Sequence, residues 1–177
     1  MGKQVKNIYL IGPRASGKTT IGKLLARKIN FNFLDTDELI VQKFGKTIQE
    51  LVQNRGWTYF REQEQKILLE LGSKNSCVIA TGGGIVVTPA AKIFLRSQDY
   101  TFYLKISPTT ALKRLSANQN QKMRPALTDL DWEKEVKIIM QERESLYQEC
   151  AKYVLDAEQP KENIVQKIIE EISNERR

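Results

Sequence analysis

The chain has 177 residues, 41% of them hydrophobic and 28% charged, a balance that suits one domain with a real core. No stretch approaches the roughly 18 apolar residues of a membrane helix, and the two cysteines, Cys77 and Cys150, lack both metal-ligand spacing and the numbers for a disulfide framework, which points to a reducing cytoplasm. The net charge of +7 comes with no histidine, so a general base must be a carboxylate, or phosphate or water must assist, and zinc chemistry is nearly excluded.

In chain order, Asn7–Ile11 reads as a short buried strand, too short an apolar run for a secretory leader. It runs into Gly12-Pro13-Arg14-Ala15-Ser16-Gly17-Lys18-Thr19, which fits G-x-x-x-x-G-K-[ST] and opens a helical pattern over Lys18–Ile29. A buried strand that ends in a glycine-rich turn aims amides inward, and the following helix offers its positive end to an anion. Residues 12–20, with Gly12, Arg14, Ala15, Ser16, Gly17, Lys18, Thr19 and Thr20 as contacts, are therefore expected to grip the phosphates of a nucleoside triphosphate. Lys18 would reach the β- and γ-phosphates and Thr19 would ligate Mg²⁺.

A second strand, Asn32–Asp35, ends in Asp35-Thr36-Asp37. In extended chain, residues i and i+2 share a face, so both carboxylates can aim at one point beside the phosphate loop. One would hold Mg²⁺ through water while the other accepts a proton from an acceptor hydroxyl. The competing reading is a helix N-cap for the pattern over Thr36–Phe44. The helical region between Asp35 and Cys77, with a long pattern over 47–72, exceeds a simple crossover and suggests an excursion over the substrate side, about 36–62. Its residues Leu51, Val52, Ile67, Leu68 and Leu71 read as core.

A third strand, 77–81, closes in Thr81-Gly82-Gly83-Gly84. Consecutive glycines permit positive φ and close approach of a ligand, and their amides can bind a carboxylate or hydroxyl; a tight strand exit is the plainer alternative. Next come a strand over 101–106, a helix over Pro108–Ala117 and a polar stretch over about 118–130 that reads as a mobile lid carrying Arg124. A helix over 131–151 with Arg143, a strand Tyr153–Asp156 and a helix over 161–176 complete the chain. The alternation predicts a doubly wound α/β domain spanning 1–177, P-loop NTPase-like, with five parallel strands and helices on both faces. Spacing alone does not separate Arg61, Arg124 and Arg143 from solvated surface charge. The basic balance shows no aromatic-interleaved run, so small anionic ligands are expected rather than nucleic acid.

Taken together, Gly12–Thr20, Asp35-Thr36-Asp37, Phe60-Arg61-Glu62-x-Glu64, Gly82-Gly83-Gly84, Met123-Arg124-Pro125 and Glu142-Arg143-x-x-Leu146-Tyr147 resemble, in order and spacing, the motifs of shikimate kinases. The resemblance spans nearly the whole chain. It implies transfer of the ATP γ-phosphoryl group to the 3-hydroxyl of shikimate, with Asp37 as the base that meets the hydroxyl and Asp35 near Mg²⁺. Arg61 and Arg143 would clamp the shikimate carboxylate, with Gly82, Gly83 and Gly84 in the same site. Arg124 would swing onto the phosphates, while Arg114 and the segment with Gln159 and Pro160 would enclose the adenine. A cytoplasmic monomer with no nucleic-acid or membrane partner is the expected form. A related gluconate- or nucleoside-monophosphate-type kinase and a non-catalytic nucleotide-binding module are the alternatives. One departure stands out: Ala15 occupies a position where the family usually has glycine. Alanine tolerates negative φ, so binding is expected to survive, and nucleotide affinity is the quantity this departure bears on. Arg14 likewise replaces a frequent methionine.

Overall fold

All five residues of Asn7–Ile11 (β1) are buried, as befits a central parallel strand covered on both faces. In the computed structural model, which describes residues 5–117 and 131–174, β1 is joined by Asn32–Asp35 (β2), Cys77–Ala80 (β3), Thr101–Lys105 (β4) and Tyr153–Asp156 (β5). Their order across the sheet is β2-β3-β1-β4-β5, and every pairing is parallel. From β1 the chain goes first to the edge strand β2, returns inward to β3, and then crosses β1 to add β4 and β5 on the other side. The crevice beyond the carboxyl end of β1 is the switch point where such sheets bind ligands.

Alternation along the strands assigns two cores. Tyr9, Ile11, Ile79 and Tyr103 face one side. Ile8, Leu10, Val78, Phe102 and Leu104 face the other. The helices Thr36–Phe44 (α2), Ile48–Leu71 (α3), Pro89–Arg96 (α4) and Trp132–Cys150 (α6) cover the first face through Ile40, Leu68, Leu95 and Tyr147. Helices Lys18–Ile29 (α1), Pro108–Ala117 (α5) and Lys161–Asn174 (α7) cover the second through Leu25, Ala111 and Val165. The doubly wound α/β expectation holds, and Leu51, Val52, Ile67, Leu68 and Leu71 are all core residues.

Local chemistry sets the boundaries. Thr47 and Glu50 form a reciprocal capping box that starts α3 one residue later than the pattern suggested. Inside α3, Gly56 has φ 81 and ψ 167, and its non-helical backbone kinks what the sequence presents as one run. Helix α4, introduced by a 3₁₀ turn at Ile85–Val87, was not anticipated. At two turns it is too short for its periodicity to be legible, although Pro89 at its first turn is a regular start signal. The segment 118–130, with the expected lid and Arg124, lies outside the described residues.

Candidate active site

The loop after β1 folds back on itself. Gly12, at φ 145, has no room for a side chain, because a Cβ there would meet the Leu104 carbonyl oxygen at 2.7 Å. Lys18 lies along the loop, its Nζ donating to the carbonyls of Gly12 (2.8 Å) and Pro13 (2.7 Å) and to Ser16 Oγ (3.4 Å). The expectation that Ala15 adopts negative φ is corrected: it sits at φ 62, in the left-handed region. An L side chain there is crowded against its own backbone, at a cost of about 1–2 kcal/mol. Ala15→Gly should relieve that strain but adds freedom to the unfolded chain, leaving a net gain of about 1 kcal/mol. Thermal unfolding should show this as a midpoint raised by about 2–4 °C, and a lowered midpoint would contradict the strain.

Beside the loop, Thr19 Oγ1 donates to Asp35 Oδ2 at 2.8 Å. The other oxygen of Asp35 accepts the amides of Asp37 (3.0 Å) and Glu38 (3.5 Å), capping α2. Asp35 therefore fills the cap role and faces the loop at once, so the two readings of the sequence do not exclude each other. Burial, followed by the charge of Asp37, raises its carboxyl above the ordinary range. The two carboxylates do converge on one cleft, but extended-strand alternation is not the cause. Asp35 ends β2 and Asp37 lies in the first turn of α2, so the strand-to-helix bend brings them together.

The glycines after β3 also differ from expectation. None of Gly82, Gly83 and Gly84 has positive φ. Gly82 and Gly84 are required because charged side chains press against the backbone, whereas a Cβ on Gly83 would find ordinary contact distances. A Cβ on Gly82 would collide with the carboxylates of Glu64 and Asp37, and one on Gly84 would collide with the Arg61 guanidinium. The Gly82 amide already donates to Thr36 Oγ1 at 2.9 Å, so it is not part of an open nest for a ligand.

Arg61 is ion-paired with Glu64 one turn along α3. Its guanidinium lies over the Trp57 and Phe60 rings, 5.2 and 5.3 Å from their centroids, which fixes its plane. The Glu64 side chain is only 1% exposed, so removing Arg61 would take an ion-pair partner from a buried charge. Arg143, on α6, donates to the Gly83 carbonyl at 3.4 Å. Burial lowers its pKa; Tyr147 opposes that shift and the neighbouring Arg61 charge adds to it. Two arginines held this close call for a carboxylate or phosphate between them.

Two cavities result. One, of about 420 Å³, is lined by residues 14–20, Asp35, Asp37, Arg114 and Gln159. The other is lined by Trp57, Phe60, Arg61, Glu64, Arg143 and Tyr147. Arg14 and Gly83 line both, so the cavities adjoin. Arg114 spans the outer end of the first, donating to the carbonyls of Ala15 (3.1 Å) and Ala157 (3.0 Å). Gly12, Gly82 and Pro160, all named from the sequence, line neither cavity. Gly12 shapes the loop from behind, and Gly82 sits under the two carboxylates. Glu64 and Tyr147 had no role assigned from the sequence. Their helical spacing from Arg61 (i+3) and Arg143 (i+4) was the available signal. Lys161, at the start of α7, also faces the first cavity without having been anticipated.

A phosphate loop at the switch point of this sheet, beside a cavity lined with two arginines and a carboxylate-bearing wall, defines a P-loop phosphotransferase acting on a small anionic acceptor. The comparisons with known proteins narrow the class. The sequence model of the family described as shikimate kinase matches residues 14–173. Shikimate kinase 2 of Sodalis glossinidius is 38% identical, over 94% of this chain and 95% of that protein. Shikimate kinase of Nitratidesulfovibrio vulgaris is 37% identical, over 95% and 96%. The solved shikimate kinase from Acinetobacter baumannii in complex with shikimate superposes with a TM-score of 0.88 at 34% identity, covering 96% of this chain and 94% of that one. The chain belongs to the shikimate kinase family. Among the described residues, no helix is long and apolar enough to cross a membrane.

Proposed function

We propose that this chain transfers the γ-phosphoryl group of ATP to the 3-hydroxyl of shikimate, giving shikimate 3-phosphate. The observation that carries the reading is the pair of adjoining cavities that share Arg14 and Gly83, with the phosphate loop in one and the Arg61–Arg143 pair in the other. Phosphoryl transfer needs its two oxygens held in line with the charge between them neutralised, and neighbouring anion sites supply both conditions.

In this reading Lys18 and the loop amides hold the nucleotide phosphates, and Arg114 with Gln159 borders the base. Arg61 and Arg143 grip the acceptor carboxylate, so that the ring presents one hydroxyl to Asp37, which takes or orients its proton. Arg124, which lies outside the described residues, is the proposed lid arginine. Thr19 and Asp35 suit Mg²⁺: their oxygens meet at 2.8 Å beside the phosphate loop, and that ion takes few protein ligands and leaves the rest to water and phosphate. Bound there, it would supply charge neutralisation at the phosphates. Among the described residues no larger metal-ligating cluster competes for it. The proposed setting is the cytoplasm, as a monomer without nucleic-acid or membrane partners, and the two buried free cysteines support it.

An ADP-release assay across a panel of hydroxy acids, gluconate and nucleoside monophosphates tests the reading. ADP release strictly dependent on shikimate and Mg²⁺ is the expected result. Turnover with another acceptor but not with shikimate would replace it.

A further inference from the structure

Tyr147 is 2% exposed, and its hydroxyl donates to the carbonyl of Gly83. Arg143, one helical turn earlier on α6, donates to the same oxygen at 3.4 Å, so the phenol and the guanidinium meet at one acceptor. Gly83 is one of the two residues shared by both cavities. Its carbonyl belongs to the planar peptide whose other edge carries the Gly84 amide, and Gly84 lines the second cavity. Anchoring the carbonyl therefore sets the direction of that amide.

The Tyr147 ring is held in turn. It stacks on Tyr103 with centroids 5.0 Å apart and planes at 21°, and the Tyr103 hydroxyl donates to Glu144 Oε2 at 2.6 Å. The phenol therefore cannot swing away from Gly83 without breaking a buried stack. Burial also pushes the Tyr147 hydroxyl up to about 12 against the opposing pull of Arg143, so it keeps its proton, and remains a donor, at neutral pH.

We propose that Tyr147 is a positioning residue for the acceptor: it ties the Arg143 guanidinium and the Gly83–Gly84 peptide into one rigid wall of the shikimate cavity. This role rests on the functional reading above. It acts through Arg143 and the backbone rather than by touching the reacting atoms, so its removal should weaken acceptor capture more than nucleotide capture.

The test is steady-state kinetics of wild type, Tyr147→Phe and Tyr103→Phe, with the thermal midpoint of each. Tyr147→Phe keeps the ring and its stack and removes only the hydroxyl. The shikimate KM should rise roughly tenfold, with the ATP KM held within about twofold and kcat within about threefold. Tyr103→Phe also removes a buried hydroxyl but does not touch Gly83, so its shikimate KM should stay within about twofold of wild type. An unchanged shikimate KM in Tyr147→Phe overturns the proposal. So does an equal rise for both substrates, or an equal shikimate effect in Tyr103→Phe, either of which would mark a general packing role. A wild-type chain inert toward shikimate is a separate outcome that defeats the functional reading and this proposal with it.

Discussion

Replacing Asp37 with asparagine should reduce turnover by roughly 10²–10⁴-fold, the range that a positioned proton acceptor contributes, while leaving ATP affinity nearly intact. The substitution keeps the shape of the side chain and removes its basicity. Asp37 sits in the first turn of α2 facing the cavity of the phosphate loop, close enough to Asp35 for its charge to help raise the Asp35 carboxyl. Loss of that charge relieves the repulsion and leaves the Thr19–Asp35 contact in place. Magnesium and nucleotide binding should therefore survive. Measured kcat for shikimate and a separate nucleotide titration check the two halves, and an unchanged rate would remove Asp37 from proton handling.

The second large effect is expected at Arg61. Arg61→Lys should raise the shikimate KM by roughly 30–100-fold while moving the ATP KM only slightly. An ammonium keeps the charge but cannot offer two parallel donors to a carboxylate or lie flat over Trp57 and Phe60. Arg61→Ala is the harsher variant. It also takes from the buried Glu64 carboxylate its ion-pair partner, leaving Arg143 as a neighbouring cation, a loss that costs up to about 3–5 kcal/mol where the remaining charge stays buried. A loss of stability is therefore expected in the alanine variant, and largely absent in the lysine one. Equal losses of affinity for both substrates in Arg61→Lys would contradict the acceptor clamp.

The contrast between Asp35 and Arg143 shows how far the sequence could be read. The phosphate loop, the strand before it and the helix after it are local in the chain. The apolar run, the glycines and the N-cap carboxylate therefore reveal the fold, and the cavity beside the phosphate loop with it, from spacing alone. Arg143 is different. In the chain it stands among glutamates on a charged helix, and only the packing of α6 against β4 and the glycine turn turns it toward Arg61. Only the resemblance to a family gives it an expected role. Glu64 and Tyr147 were missed for the same reason, since a buried partner acquires its meaning from what lies across the fold. The glycines after β3 were noticed for the wrong cause: sequence suggests backbone freedom, whereas the fold uses the missing side chains to admit Glu64, Asp37 and Arg61. Ala15 misled in the opposite direction. Its backbone is left-handed, a conformation that its identity as alanine conceals.

Product analysis by phosphorus and proton magnetic resonance tests most directly whether the two adjoining cavities hand a phosphoryl group across their shared wall. Incubation of the enzyme with ATP, Mg²⁺ and shikimate should yield one new phosphomonoester, coupled to the ring proton at carbon 3. Inorganic phosphate alone, or an ester on another hydroxyl, would mean that Arg61 and Arg143 do not hold the acid in the orientation assigned to them.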